Sequence, residues 1–243
     1  SVARAARLLF KRLRIGLAFI FITLSSTQVY AACTVNDIGY NDGSGGFAPT
    51  ITRTQMLAWT SGDVSTCLVT DSSLNDMSDL FKNKTSFNQD LSAWDTSNVT
   101  NMSGMFNGAT SLTSVSFPDT SAVTTMFYMF YGATSLTSVS LPQTSAVTNM
   151  YEMFTNATNL TTVSFPDTSA VTNMQGMFSG ATNLTSVSLP QTGAVTKMFY
   201  MFYNATSLTS VSLPQIGAVR HMDGMFKGAT SFAQDIRAWD VDN

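Results

Sequence analysis

The chain has 243 residues, only 11% of them charged, about half the share usual in a soluble protein. The net charge of -3 conceals an asymmetry. Arg4, Arg7, Lys11, Arg12 and Arg14 all precede the apolar run Ile15 to Leu24, and beyond residue 31 seven basic residues face fifteen acidic ones, a net charge near -8. That balance argues against nucleic acid and anionic membrane surfaces as partners, since both need clustered Lys and Arg.

In chain order, residues 1–31 read as a secretory signal peptide: a basic start, the apolar core Ile15 to Leu24, then a small-residue site at Val29-Tyr30-Ala31. The run is too short for a hydrocarbon core about 30 Å thick, so a transmembrane anchor is disfavoured. Ser1 is not an initiator Met, which places the expected start upstream. Residues 32–73 fit the repeat poorly and are expected to form an N-terminal cap. Cys33 and Cys67 are expected to pair as a disulfide in an oxidising compartment. The rival is lipidation of Cys33, because Ala31-Ala32-Cys33 resembles the end of a lipoprotein signal, although Tyr30 stands where such signals prefer Leu. The string Asn41-Asp42-Gly43-Ser44-Gly45-Gly46 lacks the closing acid of a calcium loop and reads as a plain loop.

From residue 74 to the end the chain repeats. Met102, Met126, Met150, Met174, Met198 and Met222 follow one another at intervals of 24, with Met77 a further member 25 residues earlier. Self-similarity at this period marks a solenoid whose coils bury their apolar sides only by stacking. Each Met-x-x-Met-Phe places apolar residues at i, i+3 and i+4, which predicts a short helical turn, with Thr148 as an N-cap in its coil. Gly or Asn stands two residues after every Phe, at Asn83, Gly108, Gly132, Asn156, Gly180, Asn204 and Gly228. These are the residues that enter the left-handed conformation most cheaply, as a helix C-terminus requires.

The second half of each unit is strand-like. Val139 and Leu141 alternate with Ser138 and Ser140, and Pro118, Pro142, Pro166, Pro190 and Pro214 end every such stretch at one place. Stacked strands are expected to form one parallel sheet. The fold class is therefore an α/β repeat solenoid, leucine-rich-repeat-like, with one short parallel strand and one short helical turn per 24-residue coil, about seven coils in all. Leu, Val, Leu or Phe, Val, two Met, Phe and Ala from each coil are the expected core, which assigns the Met and Phe richness to packing and not to a metal or cofactor.

Phe117-Pro118-Asp119-Thr120 recurs at Phe165 and Leu141-Pro142-Gln143-Thr144 at Leu189, a 48-residue alternation that points to duplication of a coil pair. Repeated surface residues are for that reason no evidence of function by themselves. Phe87 to Asp95 is matched by Phe232 to Asp240, after which the expected Val-Thr-Asn-Met is missing, so the solenoid of residues 74–243 is expected to be truncated at its C-terminus.

The stretch Phe130-Tyr131-Gly132-Ala133-Thr134-Ser135-Leu136-Thr137-Ser138-Val139-Ser140-Leu141-Pro142 resembles the Treponema-type leucine-rich repeat of BspA-like surface proteins. Trp94-Asp95-Thr96-Ser97-Asn98-Val99-Thr100-Asn101-Met102 resembles the 25-residue repeat of Mycoplasma lipoproteins. Met-x-x-Met-Phe departs from the Treponema-type pattern, which has Ile-x-x-x-Ala-Phe there. The resemblance implies a leucine-rich-repeat-like solenoid, cell-surface display and, for some members, attachment to host or matrix proteins. It carries over no catalytic residues.

Chemistry is sparse. His221 lies in Arg220-His221-Met222-Asp223 without an activated Ser or an orienting carboxylate beside it, and no His or Cys pair has metal-ligand spacing. No enzymatic activity and no cofactor are expected. Two surfaces are candidate binding sites. One is the aromatic set inside and just after Met-x-x-Met-Phe: Phe127, Tyr128, Tyr131, Tyr151, Phe199, Tyr200 and Tyr203. The other is the hydroxyl strip of the strands: Ser114, Ser116, Ser138, Ser140, Thr162, Ser164, Ser186, Ser188, Ser210 and Ser212. The expected function is a secreted or cell-surface binding or adhesion module for an extracellular protein or glycan, attached to a membrane only through Cys33 lipidation or a separate anchor. The alternatives are a structural spacer without a specific ligand and, less favoured because the strip is mostly Ser and not Thr, a binder of ice or another crystal surface.

Overall fold

The computed structural model describes residues 53–60, 64, 75–92, 94–237 and 239. The signal peptide, Cys33, Cys67 and the loop at 41–46 lie outside the described residues. Coils 1 to 7 are counted here from Met77, Met102, Met126, Met150, Met174, Met198 and Met222.

The repeat builds a solenoid of stacked coils. Five three-residue strands, β1 (Ser114–Ser116), β2 (Ser138–Ser140), β3 (Thr162–Ser164), β4 (Ser186–Ser188) and β5 (Ser210–Ser212), come from coils 2 to 6 in order. Their hydroxyl residues point outward and their central valines inward, as the alternation predicts. All pairs are parallel and in register, Val115 opposite Val139 and Val163 opposite Val187. The sheet is not continuous. It splits into β1-β2 and β3-β4-β5, and Val139 at the seam is only half-buried. The continuous ladder runs instead along the residue before each first Met, from Asp76 through Asn101, Thr125, Asn149, Asn173 and Lys197 to His221.

The expected helical turn is corrected by the backbone. In coil 3, Met129 N–H bonds the Met126 carbonyl (3.2 Å) and Ala133 N–H the Phe130 carbonyl (3.1 Å), closing two consecutive four-residue turns. The third residue of each, Tyr128 (φ 57°) and Gly132 (φ 66°), is left-handed, which is the type II arrangement and not a helix. The turns direct alternate N–H groups along the stack: Met126, Tyr128, Phe130 and Gly132 donate to Asn149, Tyr151, Met153 and Thr155 of coil 4 at 2.8–3.0 Å. Met, Met and Phe share a side because each turn brings the chain back after three or four residues, a spacing that imitates a helix. Thr148 is correspondingly not an N-cap. Its hydroxyl donates to the Thr124 carbonyl (3.2 Å), while Asn149 Oδ1 accepts the Tyr151 N–H (3.0 Å).

The core holds the expected columns. In coils 2 to 6 both Met, the Phe, the Ala and the Leu are fully buried. Phe81, Phe106, Phe130, Phe154, Phe178, Phe202 and Phe226 form one file of stacked rings, with centroids 5.3–5.6 Å apart and planes within 10° of parallel. A column absent from the expected core is Thr96, Thr120, Thr144, Thr168 and Thr192, all buried. Each hydroxyl donates to a carbonyl of the next coil, as Thr144 does to Asp167 and Thr168 to Gln191. Their polar groups are satisfied between coils, which is why threonine is tolerated there.

At the N-terminal end helix α1 (Arg53–Leu57) and the residues after it cover coil 1. Met56, Trp59 and Val64 are buried, with Trp59 edge-on to Phe87 at 5.4 Å. Arg53 donates to the Asp76 and Ser78 carbonyls, and Trp94 Nε1 to the Val64 carbonyl. At the other end Phe226 and Met222 are only half-buried, though the same residues are sealed in coils 2 to 6.

Close stacking links neighbouring coils sterically. Gly180 (φ 72°) sits under the Asn156 side chain, and a Cβ added there would overlap Asn156 Oδ1. Gly180→Ala is expected to destabilise by about 1–3 kcal/mol, from left-handed strain and the overlap together. Asn156→Gly removes the overlap, so the double variant should recover part of the loss in urea unfolding. Equal losses with and without Asn156 would contradict this packing.

Candidate binding surface

The two residues inside Met-x-x-Met and the residue after Phe make one face beside the continuous ladder, outward except where Ser103 and Thr155 are buried. The second residue of the pair is left-handed in every coil: Asp79, Gly104, Tyr128, Glu152, Gly176, Tyr200 and Gly224, with φ between 49° and 63°. Glycine enters this region freely, whereas a bulky side chain there is an outlier that costs of order 1–3 kcal/mol. Three coils use glycine. Tyr128, Glu152 and Tyr200 therefore carry a cost that the turn itself does not demand.

Left-handed geometry also tilts these side chains over the following coil. A Cβ built on Gly176 would meet Glu152 Cγ at 2.8 Å, and one on Gly224 would meet Tyr200 Cε1 at 2.5 Å. Glu152 leans over coil 5 and Tyr200 over coil 7, each onto a glycine that leaves it room.

The sequence-identified aromatics fall into two groups. In coils 3 and 4, Tyr128 lies 5.8 Å from Phe127, 5.6 Å from Tyr131 and 5.0 Å from Tyr151, all edge-to-face. In coil 6, Tyr200 and Tyr203 meet at 5.7 Å and 82°, while Phe199 lies 5.4 Å from exposed His221. Phe127 is 36% and Tyr200 49% exposed; the other five are half-buried. Hydrogen bonding with Glu152 and then Tyr128 raises the Tyr151 phenol above its ordinary value of 10.0.

Between the two groups coil 5 carries Gln175, Gly176 and Ser179 where coil 6 carries Phe199, Tyr200 and Tyr203 and coil 4 carries Tyr151, Glu152 and Thr155. The dip forms a cleft of about 320 Å³, walled by Glu152 and Thr155 on one side and by Tyr200, Tyr203 and Lys227 on the other. Glu152, Gln175, Ser179 and Lys227 were not singled out from sequence. The available signal was the alternation of glycine and large residues at the second position of Met-x-x-Met.

The hydroxyl strip is exposed throughout, from Ser114 and Ser116 to Ser210 and Ser212, but the seam between β2 and β3 divides it. A shallow depression of about 460 Å³ lies over β1 and β2, edged by Asn88 and Asp90. The strip holds no aromatic or charged side chain of its own.

Two outcomes follow from the left-handed column. Tyr128→Gly and Tyr200→Gly should each change unfolding free energy by less than about 1 kcal/mol, because relief of the backbone offsets lost ring contacts; a larger loss would make the rings structural. In an absorbance titration Tyr151 should ionise above ordinary phenols, and Glu152→Gln should lower its pKa. Since the folded pKa is the raised one, the hydrogen bond stabilises the fold fully below pH 10 and is lost as the pH rises beyond it.

Solved structures similar to this chain include a leucine-rich repeat protein from Eubacterium ventriosum (23% identity, TM-score 0.46, covering 59% of this chain and 37% of that one). Also similar are the T. pallidum leucine-rich repeat protein (22%, TM-score 0.43, 56% and 72%) and a leucine-rich cell surface protein from Faecalibacterium prausnitzii (22%, TM-score 0.44, 56% and 42%). The match thus spans well under two thirds of the first and third of these proteins. No curated protein matches the sequence. Residues 61–163 and 137–239 both match the family described as Mycoplasma protein of unknown function, DUF285. Two overlapping matches that together run over most of the repeat array make this chain a member of that family.

Proposed function

We propose that this protein is a secreted or cell-surface binding module, without catalytic activity, that attaches to an extracellular protein or glycan through the aromatic face of coils 3, 4 and 6. One observation carries the reading. Tyr128 and Tyr200 occupy a left-handed position that Gly104, Gly176 and Gly224 fill in sister coils, so the fold is complete without the rings and bears a cost to keep them. Clustered, partly exposed aromatics on a weakly charged surface are the usual anchors of recognition.

Export is supported by the basic start, apolar core and small-residue site of residues 1–31. No helix among the described residues is long and apolar enough to cross a membrane. Membrane attachment, in this proposal, rests on lipidation of Cys33 or on a separate anchor.

The test compares the protein with a variant carrying Tyr128→Gly, Tyr131→Ser, Tyr200→Gly and Tyr203→Ser, each a residue type that other coils place at the same position. Attachment to immobilised extracellular matrix and to cell surfaces should weaken at least tenfold, about 1.4 kcal/mol, with an unchanged circular dichroism spectrum. Undiminished attachment would remove the aromatic face from consideration. A parent protein that binds neither surface would favour the spacer.

A further inference from the structure

The cleft over coil 5 differs from the rest of the face in being concave, small and mixed in chemistry. Its volume of about 320 Å³ lies at the lower end of small-ligand pockets, which is too little for an element of a folded partner. Gly176 (φ 61°) leaves room for the Glu152 side chain to lie across the floor, and Ser179 keeps the middle low where coils 3 and 6 carry Tyr131 and Tyr203. We propose that this cleft is a subsite for one pyranose ring of a neutral, linear oligosaccharide, stacked on Tyr200 and hydrogen-bonded by Glu152, Gln175 and Lys227. The assignment rests on the aromatic face being a binding surface and names its ligand class.

Three features favour a sugar over a peptide. Tyr200 and Tyr203 meet almost at a right angle, which makes an apolar corner with one ring half exposed. The electron-rich face of a tyrosine ring attracts the weakly positive C–H groups of a pyranose. The opposite wall is polar: the Glu152 carboxylate accepts hydroxyl hydrogens, and Gln175 both donates and accepts. Lys227 is exposed and makes no ion pair among the described residues, so its ammonium is available to donate. One acid and one base across the cleft leave it without net charge, which suits a neutral ligand better than a uronic acid or a free amine.

The Glu152 carboxylate is not a loose surface group. Its backbone is fixed left-handed, with its N–H bonded to the Gln175 carbonyl at 2.9 Å, and its Cγ lies against the bare Cα of Gly176. A carboxylate held in this way is oriented before a ligand arrives, which lowers the ordering cost of binding. A peptide anchor, by contrast, needs a deep apolar pocket, and this lining includes Glu152, Thr155, Gln175, Ser179 and Lys227. The aromatic groups of coils 3 and 6 flank the cleft along the stack, so a chain passing through it would run parallel to the solenoid axis and meet both.

The experiment titrates the protein with chitohexaose, cellohexaose and maltohexaose by calorimetry and by saturation-transfer NMR. At least one should bind, and Tyr200→Gly and Ser179→Tyr should each weaken it at least tenfold. Ser179→Tyr fills the cleft with the residue that coils 3 and 6 already hold at that position, so its unfolding midpoint should match the parent's. Absence of binding to all three, or undiminished binding in Ser179→Tyr, would overturn the assignment. The broader reading fails separately. Surface attachment that persists after enzymatic removal of glycans would eliminate the sugar subsite but leave a binding module, whereas attachment that no tyrosine change weakens would eliminate the binding face itself.

Discussion

A type II turn leaves part of its backbone without partners inside the turn, and this protein places two such hydrogen-bonded turns back to back in each of coils 2 to 7. Met126, Tyr128, Phe130 and Gly132 each hand an N–H to the next coil, and the same four positions do so from one coil to the next. No coil can satisfy its own peptide groups, so its conformation exists only in company. In an isolated coil these N–H groups would bond water instead, and no hydrogen bond to a neighbour would offset the entropy of ordering the turns. Packing follows from that ladder. The Phe file and the buried Thr column are spaced by the backbone repeat and have no independent freedom to adjust.

Left-handed residues are what the ladder requires, and they set the rules for the surface. A side chain at such a position leans over the following coil, so a large group in one coil is accommodated best by glycine in the next: Asp79 before Gly104, Glu152 before Gly176, Tyr200 before Gly224. The same holds two residues after Phe, where Asn83, Asn156 and Asn204 lie over Gly108, Gly180 and Gly228. Tyr128 before Glu152 is the departure, and there the two side chains interact through Tyr151 instead of overlapping. Surface composition is thus written in pairs of coils by sterics alone. That accounts for alternation along the chain without invoking selection for a ligand, and it isolates Tyr128, Glu152 and Tyr200 as choices that sterics permit but do not explain.

The repeat period, the inward columns and the exposed hydroxyl strip were legible in the sequence because each depends on side-chain polarity at a fixed spacing. Val115, Val163, Val187 and Val211 point inward and their serine neighbours outward for that reason. The left-handed positions two residues after Phe were legible, and all seven, from Asn83 to Gly228, have positive φ; the left-handed position inside Met-x-x-Met was not. Met, Met and Phe at i, i+3 and i+4 fit a helical turn and a pair of type II turns equally well, and glycine or asparagine two residues after Phe suits either. The deciding residues were Gly104, Gly176 and Gly224 inside Met-x-x-Met, since glycine in the middle of a one-turn helix has no purpose and in the third place of a type II turn is preferred. Tyrosine at the same position in coils 3 and 6 hid that signal. The break between β2 and β3 had no signature, because Ser-Val-Ser and Thr-Val-Ser are equally good strands.

The site was half visible for a related reason. Aromatic residues at non-core positions identify themselves, so the two tyrosine groups emerged from the sequence, while the cleft is defined by what coil 5 lacks. Gln175, Gly176 and Ser179 are unremarkable alone and acquire meaning only between Glu152 and Tyr200, which the ladder holds at a fixed separation. A solenoid makes such a concavity simply by omitting rings from one coil, while the left-handed side chains all lean the same way along the stack, Glu152 over coil 5 and Tyr200 over coil 7. Spacing is dictated by the backbone rise and chemistry by two or three variable positions per coil. The scaffold can therefore present different linear ligands with a different order of glycine and aromatic coils, leaving every core residue unchanged.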